Sequence, residues 1–197
     1  MPVSRNRDIA SILGRTKAAN PNNRSVSPGL HFIKRVEYAS VTSGRNVYSC
    51  FSSEFDHYRV VVNYVNEAQD DLYLQVRFIK ADGSTHAAST YDTIMRGTTF
   101  TATHRSQQAQ NTTIAYIGIA PDQNELCSVT FDVFNPFLAK NTMGVVTGVE
   151  GIDTETGSGQ YGGFIVKDSV SLTGMVFFPN ATTATTMDIS VYGYAKS

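Results

Sequence analysis

Phe55-Asp56-His57-Tyr58-Arg59-Val60-Val61-Val62-Asn63-Tyr64-Val65 is the stretch on which the reading of the fold turns. Tyr58, Val60, Val62 and Tyr64 share one face of an extended chain, and His57, Arg59, Val61 and Asn63 share the other. Side chains alternate with period two along a strand, so this segment has one dry face and one mostly wet face. After the polar residues 66–70, residues 71–79 repeat the pattern. Leu72, Leu74, Val76 and Phe78 point one way, and Tyr73, Gln75 and Arg77 the other. Two alternating runs joined by a short polar loop predict an antiparallel hairpin with one buried face, the core of a β-sandwich.

Outward from this hairpin the body continues as strand after strand. Strands are expected at 32–39, 46–51, 56–65, 71–80, 98–103, 113–119, 127–134, 144–150, 161–167, 170–178 and 186–194. Ala81-Asp82-Gly83-Ser84, Pro121-Asp122-Gln123-Asn124, Thr156-Gly157-Ser158-Gly159 and Phe178-Pro179-Asn180 supply the turn chemistry between them. No intervening segment keeps a helical period over ten residues. The expected fold is all-β, a jelly-roll-like antiparallel β-sandwich over 32–197, preceded by a short N-terminal helical arm and linker over 1–31.

The chain has 197 residues, enough for one domain with a full core. Charged residues are 17%, against roughly 25% in typical soluble domains, so Thr, Ser, Asn and Gln must cover the surface. Net charge is -1, which excludes a basic footprint for nucleic acid on the chain as a whole. The charge is uneven. Residues 1–35 carry Arg5, Arg7, Arg15, Lys17, Arg24, Lys34 and Arg35 against the single acid Asp8, and the remainder is correspondingly acidic. A basic arm on an acidic body suits docking on an acidic surface, such as a neighbouring copy.

Within the arm, Ile9, Ile12 and Leu13 share one face at helical spacing, and Gly14 stops the turn. So short a helix is unstable alone in water and needs a surface to lie on. Ile9, Ile12 and Leu13 are therefore expected to dock, with Arg5, Arg7 and Arg15 at the rim. Residues 17–31, with Pro21, Pro28, Gly29 and three asparagines, form the tether.

Catalytic patterns fail one by one. His31, His57, His86 and His104 are scattered, and none has a second His or Cys at ligand spacing. Asp56 and His57 are adjacent in a strand and point to opposite faces. Asp153, Glu155 and Gly157 open like a calcium loop but lack the remaining oxygen ligands. No Gly-x-Ser-x-Gly or phosphate-binding loop occurs. Neither a catalytic residue nor a cofactor or metal site is expected. Cys50 and Cys127 are the only cysteines, too few for a disulfide scaffold, and are expected as reduced, buried thiols. No apolar run reaches the ~18 residues of a membrane span, and the first residues lack the apolar core of a secretory signal.

Aromatic side chains remain. Tyr38, Tyr48, Tyr91, Tyr161, Tyr192 and Tyr194 suit subunit contacts or stacking on sugar rings. Tyr161, within a glycine-rich loop of Gly157, Gly159, Gly162 and Gly163, is the best candidate for a glycan contact. The charge-poor stretch Thr98-Thr99-Phe100-Thr101-Ala102-Thr103 suits close packing between copies.

Ser4-Arg5-Asn6-Arg7-Asp8-Ile9-Ala10-Ser11-Ile12-Leu13-Gly14-Arg15-Thr16, followed by Ala19-Asn20-Pro21-Asn22-Asn23, resembles the N-terminal segment of structural and fibre-like proteins of tailed bacteriophages, especially phages of marine cyanobacteria. The body resembles a phage β-domain in Phe55-Asp56-His57-Tyr58-Arg59-Val60 and in the closing strand Ser190-Val191-Tyr192-Gly193-Tyr194. The resemblance implies a non-enzymatic virion component, made in the host cytoplasm, that docks on other virion proteins through residues 1–31. It also implies a homo-oligomer, with a trimer favoured by analogy to phage appendages. The alternative is a carbohydrate-binding module that contacts a host surface glycan. A polysaccharide depolymerase would need two converging carboxylates, and the sequence offers no such pair.

Overall fold

Residues 29–42, 44–66, 73–118, 126–151, 157–179 and 185–196 are described by a computed structural model. Twelve strands account for its regular structure, and no helix occurs among the described residues. In chain order they are β1 (Leu30–Val41), β2 (Arg45–Val47), β3 (His57–Asn66), β4 (Leu74–Lys80), β5 (Tyr91–Thr99) and β6 (His104–Thr112). There follow β7 (Ala115–Gly118), β8 (Leu126–Phe134), β9 (Thr142–Glu150), β10 (Ser158–Val166), β11 (Leu172–Pro179) and β12 (Thr185–Tyr194).

They form two sheets. One has eight strands in the order β1-β12-β3-β8-β9-β10-β5-β6, and the other has four in the order β2-β11-β4-β7. The paired strands are antiparallel throughout. The alternation in β3 holds: Tyr58, Val60, Val62 and Tyr64 are buried, while Arg59, Val61 and Asn63 are half-exposed. Between the layers, Phe131 of β8 meets Phe177 of β11 at 6.2 Å, and Phe78 of β4 meets Phe164 of β10 at 5.7 Å. Each such buried side chain stabilises the fold by ~1.5–3 kcal/mol, so the facing sheets are held chiefly by apolar burial.

The expected hairpin between the strands at 56–65 and 71–80 does not form. β3 pairs with β12 and β8, whereas β4 lies in the other sheet between β11 and β7. The physical reason is that period-two patterning fixes which face is buried and leaves the pairing partner open. Two consecutive strands with one dry face each can lie side by side, or they can face one another across the core. Here Tyr58, Val60, Val62 and Tyr64 share one core with Leu74, Val76 and Phe78.

Two further expectations are corrected. The strand placed at 98–103 is the end of β5 followed by a tight turn over Phe100–Thr103, in which Ala102 takes a left-handed φ of 67°. The glycine-rich loop around Tyr161 is mostly β10, paired on both sides by β9 and β5. Cys50 and Cys127 are free and buried, as their number and spacing suggest. Burial pushes both thiols up to about 12, which keeps them protonated and inert near neutral pH. The proposed helix at Ile9, Ile12 and Leu13, with Arg5, Arg7 and Arg15, lies outside the described residues, as do Asp153 and Glu155.

Candidate functional site

The outer face of the eight-stranded sheet divides in two. Over β1, β12, β3 and β8 its charges are internally paired, beside an exposed Phe32 that packs on Tyr192. Arg59 donates from Nε and Nη2 to the two Asp132 oxygens at 2.9 and 2.8 Å, and the Tyr194 hydroxyl donates to Asp132 at 2.8 Å. Burial alone would raise the Asp132 pKa, but the bonds from Arg59 and Tyr194 outweigh it and hold the carboxyl below its usual range. Arg35 makes the matching fork to Asp188 and also meets Glu37. Charges so paired leave little to bind an ionic ligand.

Over β9, β10 and β5 the same face is nearly free of charge and exposes large apolar side chains. Register places the outward residues in rows. One row runs Ser128, Val149, Gly159, Thr98, His104, and the next runs Thr130, Thr147, Tyr161, Arg96, Ser106. The third is Asp132, Val145, Gly163, Ile94, Gln108, and the fourth Phe134, Met143, Ile165, Asp92. Tyr161 thus stands as a ridge on β10 between two glycines, and each glycine opens a groove. The groove on the Gly163 side, of about 890 Å³, is walled by Ile94, Phe134, Met143, Val145 and Ile165. The groove on the Gly159 side, of about 780 Å³, lies between Phe100 and Tyr161. Its remaining lining carries hydroxyls from Thr98, Ser128, Thr130 and Thr147, and it includes no charged residue.

Both aromatic walls are firmly mounted. Tyr161 is 60% exposed on an interior strand. Phe100 is 74% exposed at the tip of a turn laced by hydrogen bonds. Its own N–H donates to the Gly157 carbonyl at 3.0 Å, and the Thr103 N–H donates to Thr99 Oγ1 at 2.9 Å. Beneath the Gly159 groove, the inward side of β10 anchors a buried polar cluster. Ser158 donates to the fully buried Glu150, whose carboxylate lies 3.5 Å from Arg105 Nη1, and Gln160 Nε2 donates to Cys127 Sγ at 3.6 Å. Burial raises the Tyr64 pKa well above its usual value beside Cys127, so the hydroxyl stays protonated.

The histidines are dispersed as the sequence implies. His57 stacks edge-on against Phe134 at 5.2 Å. His104 Nδ1 sits 3.2 Å from Thr98 Oγ1 at the sheet rim. His86 is buried near Tyr91 with Nε2 3.1 Å from Thr90 Oγ1. Among the described residues, no group of three or more His, Cys, Asp or Glu side chains is placed to hold a metal ion. Of the tyrosines singled out for exposure, Tyr161 and Tyr48 are exposed, whereas Tyr91 is fully buried, its hydroxyl donating to the His86 carbonyl at 2.8 Å. Phe100 was expected on a strand face packed between copies, and it instead projects from the turn after β5. The run of threonines around it, which can bond their own backbone, was the signal for a turn.

No protein-family model matches this chain, and no curated protein matches it in sequence.

Proposed function

We propose that this chain is a non-enzymatic structural protein of a bacteriophage particle, docking through residues 1–31 and presenting a jelly-roll β-sandwich. The observation that carries this reading is the strand order. β1-β12-β3-β8 faces β2-β11-β4-β7, and the chain moves between the two layers at β1/β2, β2/β3, β3/β4, β4/β5, β6/β7, β7/β8, β10/β11 and β11/β12. Two interleaved Greek keys require this alternation, and the arrangement recurs in viral capsid and lectin domains. The hairpin pairs β5–β6 and β9–β10 are insertions that widen one sheet beyond β8. The resemblance of residues 4–23 to phage structural proteins supplies the biological setting. The apolar groove at Ile94, Met143 and Val145 supplies a surface for contact with a copy or a neighbouring virion protein.

In this reading the protein sits on the tail, collar, fibre or capsid surface, in several copies. A trimer is favoured by analogy with phage appendages. The outer-face carboxylate Asp132 is engaged by Arg59 and Tyr194, which suits a structural role better than acid–base work. The test is location. Particles purified from cells that express an epitope-labelled chain carry the label. A chain lacking residues 1–25 stays folded and soluble but is lost from particles. Absence of the full-length chain from particles, or equal incorporation of the truncated one, overturns the reading.

A further inference from the structure

Gly159 has no structural reason to be glycine. It lies inside a paired strand, its φ is outside the left-handed region, and a Cβ built on it meets nothing within 4 Å. Glycine in a strand interior weakens the strand and often marks a bulge, a tight bend, or a place where a ligand or another backbone approaches closely; the register runs through Gly159 on both sides without a bulge. The neighbouring Gly162 shows the contrast, since a Cβ there would lie 2.2 Å from the Ile94 carbonyl oxygen. The fold therefore demands glycine at 162, while at 159 the missing side chain only keeps the groove open.

The walls of that groove are two exposed aromatic rings, Phe100 and Tyr161, each on a hydrogen-bonded support. The Phe100 ring lies with one edge over Gly157 and the rest of it, 74% exposed, turned to the groove. The rim and floor carry hydroxyls from Thr98, Ser128, Thr130 and Thr147. Floor strands β9 and β10 already pair on both sides, so their backbone groups cannot add a peptide strand. A ligand here must present flat C–H faces to aromatic rings and hydroxyls to hydroxyls, in a groove without charged lining. Sugar rings have this chemistry, and a few placed polar groups in an apolar cleft are what orient a small ligand.

We propose that the groove between Phe100 and Tyr161, floored by Gly159, binds a neutral oligosaccharide. Tyr161 and Phe100 stack on the apolar faces of pyranose rings. The threonine and serine hydroxyls exchange hydrogen bonds with the sugar hydroxyls. Arg96, the cross-strand neighbour of Tyr161, stands outside the lining. This activity goes beyond a role in assembly: the Gly163 groove supplies apolar contact, and the Gly159 groove supplies recognition. Each can fail without the other.

The test uses the full chain on an array of neutral oligosaccharides (gluco-, galacto-, manno- and N-acetylhexosamine series), with uronic-acid and sulfated oligosaccharides as the anionic arm. A retained neutral sugar is then titrated calorimetrically against Gly159→Phe, Tyr161→Ala and Phe100→Ala. The expected result is retention of a neutral series and affinity weakened by about tenfold or more in each variant, with unchanged melting temperatures. Gly159→Phe fills open space, and Tyr161→Ala and Phe100→Ala remove exposed rings, so a folding failure in one variant leaves two informative ones. The proposal is overturned if no neutral oligosaccharide is retained, or if only anionic ones are. It is equally overturned if Gly159→Phe binds as wild type, or if that change dissociates an oligomer, which would make the groove a protein contact.

Discussion

Asp132 marks the seam between the half of the outer sheet face with paired charges and the half in which only Arg96 and Asp92 are charged among the outward residues of β9, β10 and β5. Its two oxygens take the Arg59 fork and the Tyr194 hydroxyl, and Arg59 also lies over the Tyr194 ring at 5.5 Å. Asp132→Ala leaves the Arg59 guanidinium without its partner at a half-exposed site, and the expected loss of stability is about 1–3 kcal/mol. His86 and Asp132 contribute to the acid side of the stability profile, alongside the paired carboxylates Asp82, Asp92 and Asp188, whose pKa values are also lowered. Burial favours the neutral ring of His86 and outweighs the Asp168 carboxylate 3.7 Å away, so the folded pKa lies below the unfolded one. Stability therefore falls as pH drops below about 6.5, where the unfolded chain takes up a proton that the folded chain resists. Asp132 has the opposite chemistry but the same sign. Its depressed folded pKa contributes stability above the unfolded value of about 3.9, and that contribution is lost as pH falls through the folded value. Thermal melts taken across this range are expected to show both descents, with His86→Gln removing the first and Asp132→Asn shrinking the second. A profile level from neutral pH to about 5 contradicts the His86 assignment.

β10 carries the candidate site on one side and the core on the other, and its glycines separate the two roles. An alanine at 162 would drive its Cβ into the Ile94 carbonyl and the Met95 backbone, whereas an alanine at 159 enters empty space. Gly162→Ala is expected to destabilise by about 1–3 kcal/mol or more, as overpacking does. Gly159→Ala should stay within about 0.5 kcal/mol of wild type, and equal effects in urea titrations would contradict this division of labour. Strands whose pattern is strongly apolar on one face, such as β3, β8 and β12, were legible in the sequence to within a residue or two. β5 and β6 were not. The buried face of β5 is Tyr91, Thr93, Met95, Gly97 and Thr99, too polar to register as a dry face, and β6 is an edge strand of Gln, Ser and Asn. Pairing was the deeper loss, since β3 and β4 carry identical alternation whether they lie in one sheet or in two. Half of the candidate site was legible. Tyr161 stood out among glycines, but Phe100 became a wall of the groove only once β5 had been folded back against β10.

At the scale of the whole molecule the charge distribution and the apolar face point to association. The basic residues of positions 1–35 precede an acidic remainder, so contacts made by the arm weaken as salt rises past the screening range. Contacts through the outer sheet face should respond to salt less than those of the arm, because Ile94, Met143 and Val145 bring no charge and the one carboxylate of that groove, Asp92, is already paired with Lys167. Val145, 55% exposed between Asp132 and Gly163 in the third row, is the residue to alter. A stable interface buries at least ~1,000 Å² in total, and a glutamate at its middle would be desolvated without a partner. Light scattering on the full chain at micromolar concentration is expected to give a multiple of the 21.5 kDa monomer mass, three copies on the reading favoured above. Val145→Glu should lower that mass toward the monomer while leaving the melting temperature of the isolated sandwich nearly unchanged, since the side chain reaches solvent in the single chain. A wild-type mass equal to the monomer at low and high salt would remove the case for association in solution. An oligomer that survives Val145→Glu but dissociates in salt would transfer the contact from the sheet face to the basic arm.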